Sequence, residues 1–130
     1  MSYSFAIYDL DGTLCHLPTD YEAIRQCIAD LTGDRPLSRR PLFDVLLRVS
    51  PGIRAEIEHA IDIFELAAVR NIVLLPRINE LGKLPFSIAT RNGVAVVEAI
   101  WRRFELPPYR DCLGRGNWPV EKMKPHPEHL

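Results

Sequence analysis

The sequence predicts an α/β fold built on a parallel sheet, and three stretches carry that prediction. Phe5-Ala6-Ile7-Tyr8 is a short apolar run that ends abruptly in Asp9 and Asp11. Phe86-Ser87-Ile88-Ala89 is a second such run, followed by the polar Thr90-Arg91-Asn92-Gly93 and by helical text from Val94 to Phe104. Between the two runs lies a long segment whose only periodicity is helical. Runs without polar alternation suit strands buried on both faces of a parallel sheet, and strand, polar loop, helix is the repeating unit of such folds.

Taken in order, Phe5 to Tyr8 is the first strand and Asp9 stands at its carboxyl end. After Leu14 the pattern changes. Thr19-Asp20-Tyr21-Glu22 has the form of a capping box, and Tyr21, Ile24, Ile28 and Leu31 then recur at helical spacing until Gly33 can end the helix. A second helix follows Ser38, with Leu42, Phe43, Leu46 and Leu47 apolar. A third starts at Ser50-Pro51, a cap with proline at the first helical position. Its apolar face carries Ile53, Ile57, Ile61, Phe64 and Ala68, and Arg54, Glu56, Glu58, Asp62 and Glu65 are expected opposite, on the solvent side, as is His59. Residues 17–70 therefore read as an all-helical insert, with residues 1–16 and 71–130 forming the α/β part. In that part Ile72 to Leu75 leads into Pro76 and a short helix ended by Gly82, and Val97, Ile100, Trp101 and Phe104 form the core face of the next helix. Tyr109 to Leu113 is the candidate third strand, and Gly114 to Lys124 reads as loop.

Composition narrows the function classes. The chain has 130 residues, within the range of one domain, and a formal net charge of −1. Its sixteen Lys and Arg are scattered apart from Arg39-Arg40 and Arg102-Arg103, so no basic stripe for nucleic acid is present. Three cysteines, Cys15, Cys27 and Cys112, make an odd count without a Cys-x-x-Cys pair, which favours a reducing compartment and makes the cytoplasm the expected location. No apolar stretch approaches the ~20 residues needed to cross a bilayer.

Asp9 and Asp11 are two apart, so an extended backbone points both carboxylates to one side. Two close like charges need a cation, and with a phosphate they make a hard oxygen site suited to Mg²⁺. Asp11-Gly12 is equally an ordinary turn signal. Thr90 has two readings as well. At a strand tip its hydroxyl and the following amides can face the same crevice as Asp9, or Thr90 and Asn92 can simply cap the next helix. Lys124 precedes a proline, which restrains its backbone, whereas a lysine near a terminus is more often solvated; Lys122 competes with it but lacks the prolines. His126 and His129, with Cys15-His16, have no zinc-ligand spacing.

Asp9-Leu10-Asp11-Gly12-Thr13-Leu14 after an apolar strand resembles the first motif of the haloacid-dehalogenase-like hydrolases. Ile88-Ala89-Thr90-Arg91-Asn92 resembles their second motif, and Lys124-Pro125-His126-Pro127 the third motif of phosphoglycolate-phosphatase-like members. The resemblance implies a Rossmann-like core with a helical cap inserted after the first strand. It also implies Mg²⁺-dependent hydrolysis of a small phosphorylated metabolite. Asp9 would be the nucleophile and Asp11 the acid and base, both of them metal ligands, with Thr90, the backbone amide of Arg91 and Lys124 holding the phosphoryl oxygens. Asp11 argues against a dehalogenase, whose leaving halide needs no proton. A phosphomutase uses the same residues and remains an alternative, as does a non-catalytic fragment or interaction module. The family's fourth motif, acids on a further strand, has no counterpart before Leu130. The core is accordingly expected to be incomplete, with a weak Mg²⁺ site and Phe5 to Tyr8 as an open edge prone to self-association.

Overall fold

The computed structural model describes residues 4–117. It is an α/β fold. Strands β1 (Ala6–Tyr8), β4 (Phe86–Gly93) and β5 (Cys112–Arg115) form a parallel sheet in the order β1-β4-β5. A two-stranded antiparallel ribbon of β2 (Cys15–His16) and β3 (Val73–Leu74) stands apart from it. Helices α1 (Tyr21–Thr32), α2 (Arg35–Ser38), α3 (Leu42–Arg48) and α4 (Pro51–Ala68) lie between β2 and β3, and α5 (Val94–Phe104) follows β4. No helix among the described residues is long and apolar enough to cross a membrane.

Two apolar clusters organise these elements. One joins the sheet to α5 through Leu10, Leu14, Phe86, Ile88, Val97 and Ile100. The other lies within the helices, where Ile24 and Ile28 of α1 meet Val45 and Leu46 of α3 and Ile57 and Ile61 of α4. Helix α4 touches both, because Ala68 at its carboxyl end buries in the first cluster.

Local signals explain most boundaries. Gly33 ends α1 in the left-handed conformation at φ +68°, and the Ser50 hydroxyl accepts from the Ile53 amide with Pro51 at the start of α4. Trp101 packs on Phe86 and donates its indole N–H to the Pro107 carbonyl, so it belongs to the core.

Other expectations need correction. The helix α1 cap is Asp20, whose carboxylate accepts from Ala23, while Thr19 is buried; Asp20 occupies the N-cap position itself, from which its carboxylate reaches the third amide of the first turn. Strand β1 is not buried on both faces, since Ile7 is 67 % exposed. The reason is its place at the outside of the described sheet, paired with β4 alone. Within the stretch that leads into Pro76, Val73–Leu74 pairs with β2 in the ribbon. The third strand begins at Cys112, three residues later than Tyr109. Thr90 to Gly93 is not a loop but the continuation of β4, distorted by a bulge between Ala89 and Gly93. Finally, Glu65 is not on the solvent face of α4; it is 3 % exposed.

Candidate active site

The first carboxylates are placed by a tight turn after β1. The Leu10 carbonyl accepts from the amides of Thr13, Leu14 and Cys15 at 3.2, 2.9 and 3.3 Å, which folds the chain back at once. Gly12 makes this possible at φ +88°, a conformation that strains residues bearing a Cβ. Within the turn one oxygen of Asp9 accepts from the Leu10 amide at 2.7 Å and one of Asp11 from the Leu17 amide at 3.0 Å. Asp11-Gly12 is thus a turn, and the turn is what aims both acids.

Across the sheet, β4 pairs with β1 in the register Tyr8↔Ile88, so Asp9 and Thr90 leave neighbouring strands at the same carboxyl end. In open parallel sheets that end is where ligands bind. A cavity of about 290 Å³ opens there, lined by Asp9, Asp11, Tyr21, Thr90, Arg91 and Asn92. Four of the residues expected from sequence, Asp9, Asp11, Thr90 and Arg91, therefore share one cavity. Lys124, with Lys122, His126 and His129, lies outside the described residues.

The bulge in β4 builds a buried polar chain behind Thr90. Three residues, Thr90 to Asn92, stand against Gly114 alone, and a Cβ on Gly114 would come within 2.8 Å of the Asn92 carbonyl. The Thr90 hydroxyl accepts from the Asn92 amide at 3.1 Å and donates to Asn92 Oδ1 at 2.9 Å. Asn92 Nδ2 donates to Glu65 Oε2 at 2.8 Å. Glu65 Oε1 accepts from the Gly93 amide at 2.9 Å and from Arg115 Nη2 at 2.7 Å. Arg115 also donates to Asp62 at 2.5 Å and to the Arg91 carbonyl at 3.0 Å. Burial disfavours the Arg115 charge, but Glu65 and Asp62 outweigh it and hold the guanidinium protonated above its ordinary range. A helix and two strands are thereby tied together through one desolvated carboxylate.

Glu65, Asp62, Asn92 and Arg115 were not singled out as site residues by sequence. A signal existed for Glu65, since it falls on the row of Ile57, Ile61 and Ala68 at helical spacing. Nothing comparable marks Arg115, which lies in the segment read as loop.

The electrostatics of the crevice are felt by its neighbours. Burial first, then the Asp11 and Asp9 charges, push the Cys15 thiol up to about 12. Burial, with Asp11 and Glu65, raises the Tyr21 phenol, partly offset by a hydrogen bond with Thr19 and by the Arg115 charge. Among the described residues no group of three or more His, Cys, Asp or Glu gathers as a metal site. The hard oxygen donors available to a cation are Asp9 and Asp11, and Mg²⁺ fits one or two carboxylates completed by phosphate and water.

A second cavity of about 310 Å³ adjoins the first and shares Tyr21, Arg91 and Asn92 with it. Phe43 of α3 forms part of its wall, and the Arg91 guanidinium lies 5.2 Å from the centre of that ring. The Arg91 side chain is therefore placed at the junction, beside the backbone amide that the resemblance implies as the phosphoryl contact.

No protein-family model and no curated protein matches this sequence. Solved structures do match its fold. A candidate phosphoglycolate phosphatase from Lactobacillus plantarum aligns with a TM-score of 0.57 and 14% identity, over 92% of this chain and 65% of its own. A haloacid-dehalogenase-like hydrolase from Streptococcus pneumoniae aligns with a TM-score of 0.52 and 17% identity, over 87% and 61%. CbbY from Rhodobacter sphaeroides, a variant in complex with xylulose 1,5-bisphosphate, gives 0.52 and 19%, over 85% and 62%. The chain thus spans less than two thirds of the length of these proteins. Its fold is the one they share, that of the haloacid-dehalogenase-like hydrolases.

Proposed function

We propose that the chain hydrolyses a small phosphomonoester in the Asp9 cavity. The observation that carries this reading is the convergence of Asp9, Asp11 and Thr90 on one cavity at the carboxyl ends of β1 and β4. Asp9 attacks phosphorus through a carboxylate oxygen, forming an aspartyl-phosphate as the bond to the leaving oxygen breaks. Asp11 gives its proton to that oxygen, then takes one from the water that attacks phosphorus and releases phosphate, which restores both acids. Bound to Asp9 and Asp11, Mg²⁺ would offset the repulsion between carboxylate and phosphate. The Thr90 hydroxyl reaches a phosphoryl oxygen by rotating away from Asn92 Oδ1, while the Asn92 amide keeps its oxygen in place. Lys124 is the proposed cation for the remaining charge.

The test is phosphate release from an aryl phosphate in the presence of Mg²⁺, repeated with chelator and with Asp9→Asn. Loss in both supports the reading, because an amide is a far weaker nucleophile and ligand. Turnover that survives Asp9→Asn overturns it, and no turnover by the parent assigns the chain to a non-catalytic role.

A further inference from the structure

The cavity beside Asp9 has a lining that sorts its ligands. Tyr21, Leu42, Phe43, Leu46 and Ile61 form an apolar wall. The polar wall consists of Arg25, Glu65, Arg91, Asn92 and Arg115; Glu65, Asn92 and Arg115 are hydrogen-bonded with one another, although Arg115 Nε is buried without a partner among the described residues. Glu65 accepts from Asn92, Gly93 and Arg115, and Asn92 uses its carbonyl on Thr90. Arg115 is engaged with Asp62, Glu65 and the Arg91 carbonyl. Arg25 is held too, its Nη1 donating to the carbonyls of Ser38 and Arg40 at 2.8 and 2.7 Å. A sugar or polyol here would find a donor in the Arg91 guanidinium but few acceptors for its own hydroxyl protons, most of which would turn towards carbon, so that most of the bonds they gave up to water would go unreplaced. An apolar ring loses nothing on entry and gains contact with Phe43 and Tyr21.

We infer that the phosphomonoester carries an apolar, ring-sized leaving group, an aryl-substituted alcohol seated in this cavity while its phosphoryl group lies against Asp9 and Thr90. The inference rests on the phosphatase reading and deepens it. In the reaction the bond from phosphorus to the alcohol oxygen breaks, that oxygen takes the Asp11 proton, and the products are the apolar alcohol and inorganic phosphate. Arg91, at the junction of the two cavities, lies between the phosphate and the ring.

The test compares 2-phenylethyl phosphate with glycerol 3-phosphate under Mg²⁺. Both leave as simple alcohols, so a difference in kcat/KM reports recognition rather than leaving-group basicity. The full chain should favour the phenylethyl ester by roughly tenfold or more, and Phe43→Ala should bring the ratio towards unity. In parallel, calorimetric titration with 2-phenylethylphosphonate and methylphosphonate reads binding without turnover, and the aromatic probe should bind roughly tenfold tighter. Turnover with no preference, or with the reverse preference, overturns the apolar seat and leaves the hydrolase standing. Selective binding of the aromatic phosphonate without turnover of either ester supports the seat and sinks the hydrolase. Absence of selectivity in both measurements overturns the inference.

Discussion

The Glu65 carboxylate accepts a hydrogen bond from the side-chain amide of Asn92 at 2.8 Å, across 27 positions of sequence. Because a carboxylate only accepts, this bond fixes which end of the Asn92 amide faces Thr90. Glu65→Ala would leave the Arg115 guanidinium buried with Asp62 as its only carboxylate partner, and the Asn92 and Gly93 donors unpaired. Breaking such a group costs about 3–5 kcal/mol, which urea denaturation would read. The double variant Glu65→Leu with Arg115→Met removes both charges and should recover part of that loss. If it is no more stable than Glu65→Ala, stranded charge is not the cause.

Gly93 is where the cluster closes on the backbone. A Cβ there would stand 2.4 Å from Asp62 Oδ1 and 2.7 Å from Arg115 Nη2. Since these atoms are tied to each other, they cannot yield separately. Gly93→Ala should cost about 1–3 kcal/mol as an overpacking change, whereas Gly52→Ala in the first turn of α4, where a Cβ meets nothing, should be neutral or stabilise by up to ~1 kcal/mol. Equal thermal shifts in the two variants would show that helix or strand propensity, not crowding, dominates.

Much of this arrangement was legible in the residues. Helices α1, α4 and α5 follow from apolar spacing and from Gly33, Ser50 and Pro51, because local propensity and tertiary packing agree there. Asp9, Asp11 and Thr90 could be read as strand-tip groups since each follows a short apolar run. What escaped depends on partners distant in sequence. Glu65 reads as a surface acid until Arg115 is brought to it, and Thr90 to Gly93 reads as loop until β5 pairs across the bulge. The exposure of Ile7 likewise follows from strand order, which no local pattern encodes.

The Thr90 hydroxyl separates chemistry from packing. Thr90→Ser keeps the oxygen between the Asn92 amide and Oδ1, whereas Thr90→Val keeps the shape and removes it. On the proposed mechanism Thr90→Val should lose about 10²-fold or more in kcat, and Thr90→Ser should retain most of it. Equal losses would reduce Thr90 to a packing residue.

Two thiols predict an alkaline limit. Burial, then the Asp11 and Asp9 charges, raises Cys15 to about 12, and burial with Glu98 raises Cys112 to about 11. Unfolded, both ionise near the ordinary value of 9.0. The folded state binds these protons more tightly, so their contribution is complete below pH 9 and is lost as pH rises towards 11 and 12. Stability should fall by up to ~1.4 kcal/mol per pH unit per thiol in that window. Replacing Cys112 by Ala should make the decline shallower, as followed by urea titrations at successive pH values. An unchanged slope would mean that other groups govern it.

The outer edge of β1 gives the last prediction. Among the described residues β1 pairs with β4 alone, and Ile7 stands 67 % exposed on it. A strand edge with unpaired backbone groups and an exposed branched side chain is a template for a second copy of the chain. Lysine on such an edge opposes pairing, because docking would desolvate its ammonium, so Ile7→Lys should lower concentration-dependent light scattering. The substitution also moves the formal net charge from −1 to zero, which by itself favours association. A decrease therefore cannot come from net charge. Ile63→Lys supplies the matched control, since Ile63 is 52 % exposed on the helix α4 rather than on a strand, and undergoes the same change of charge. If Ile63→Lys suppresses scattering as strongly as Ile7→Lys, general loss of exposed apolar surface is responsible and β1 is not the contact.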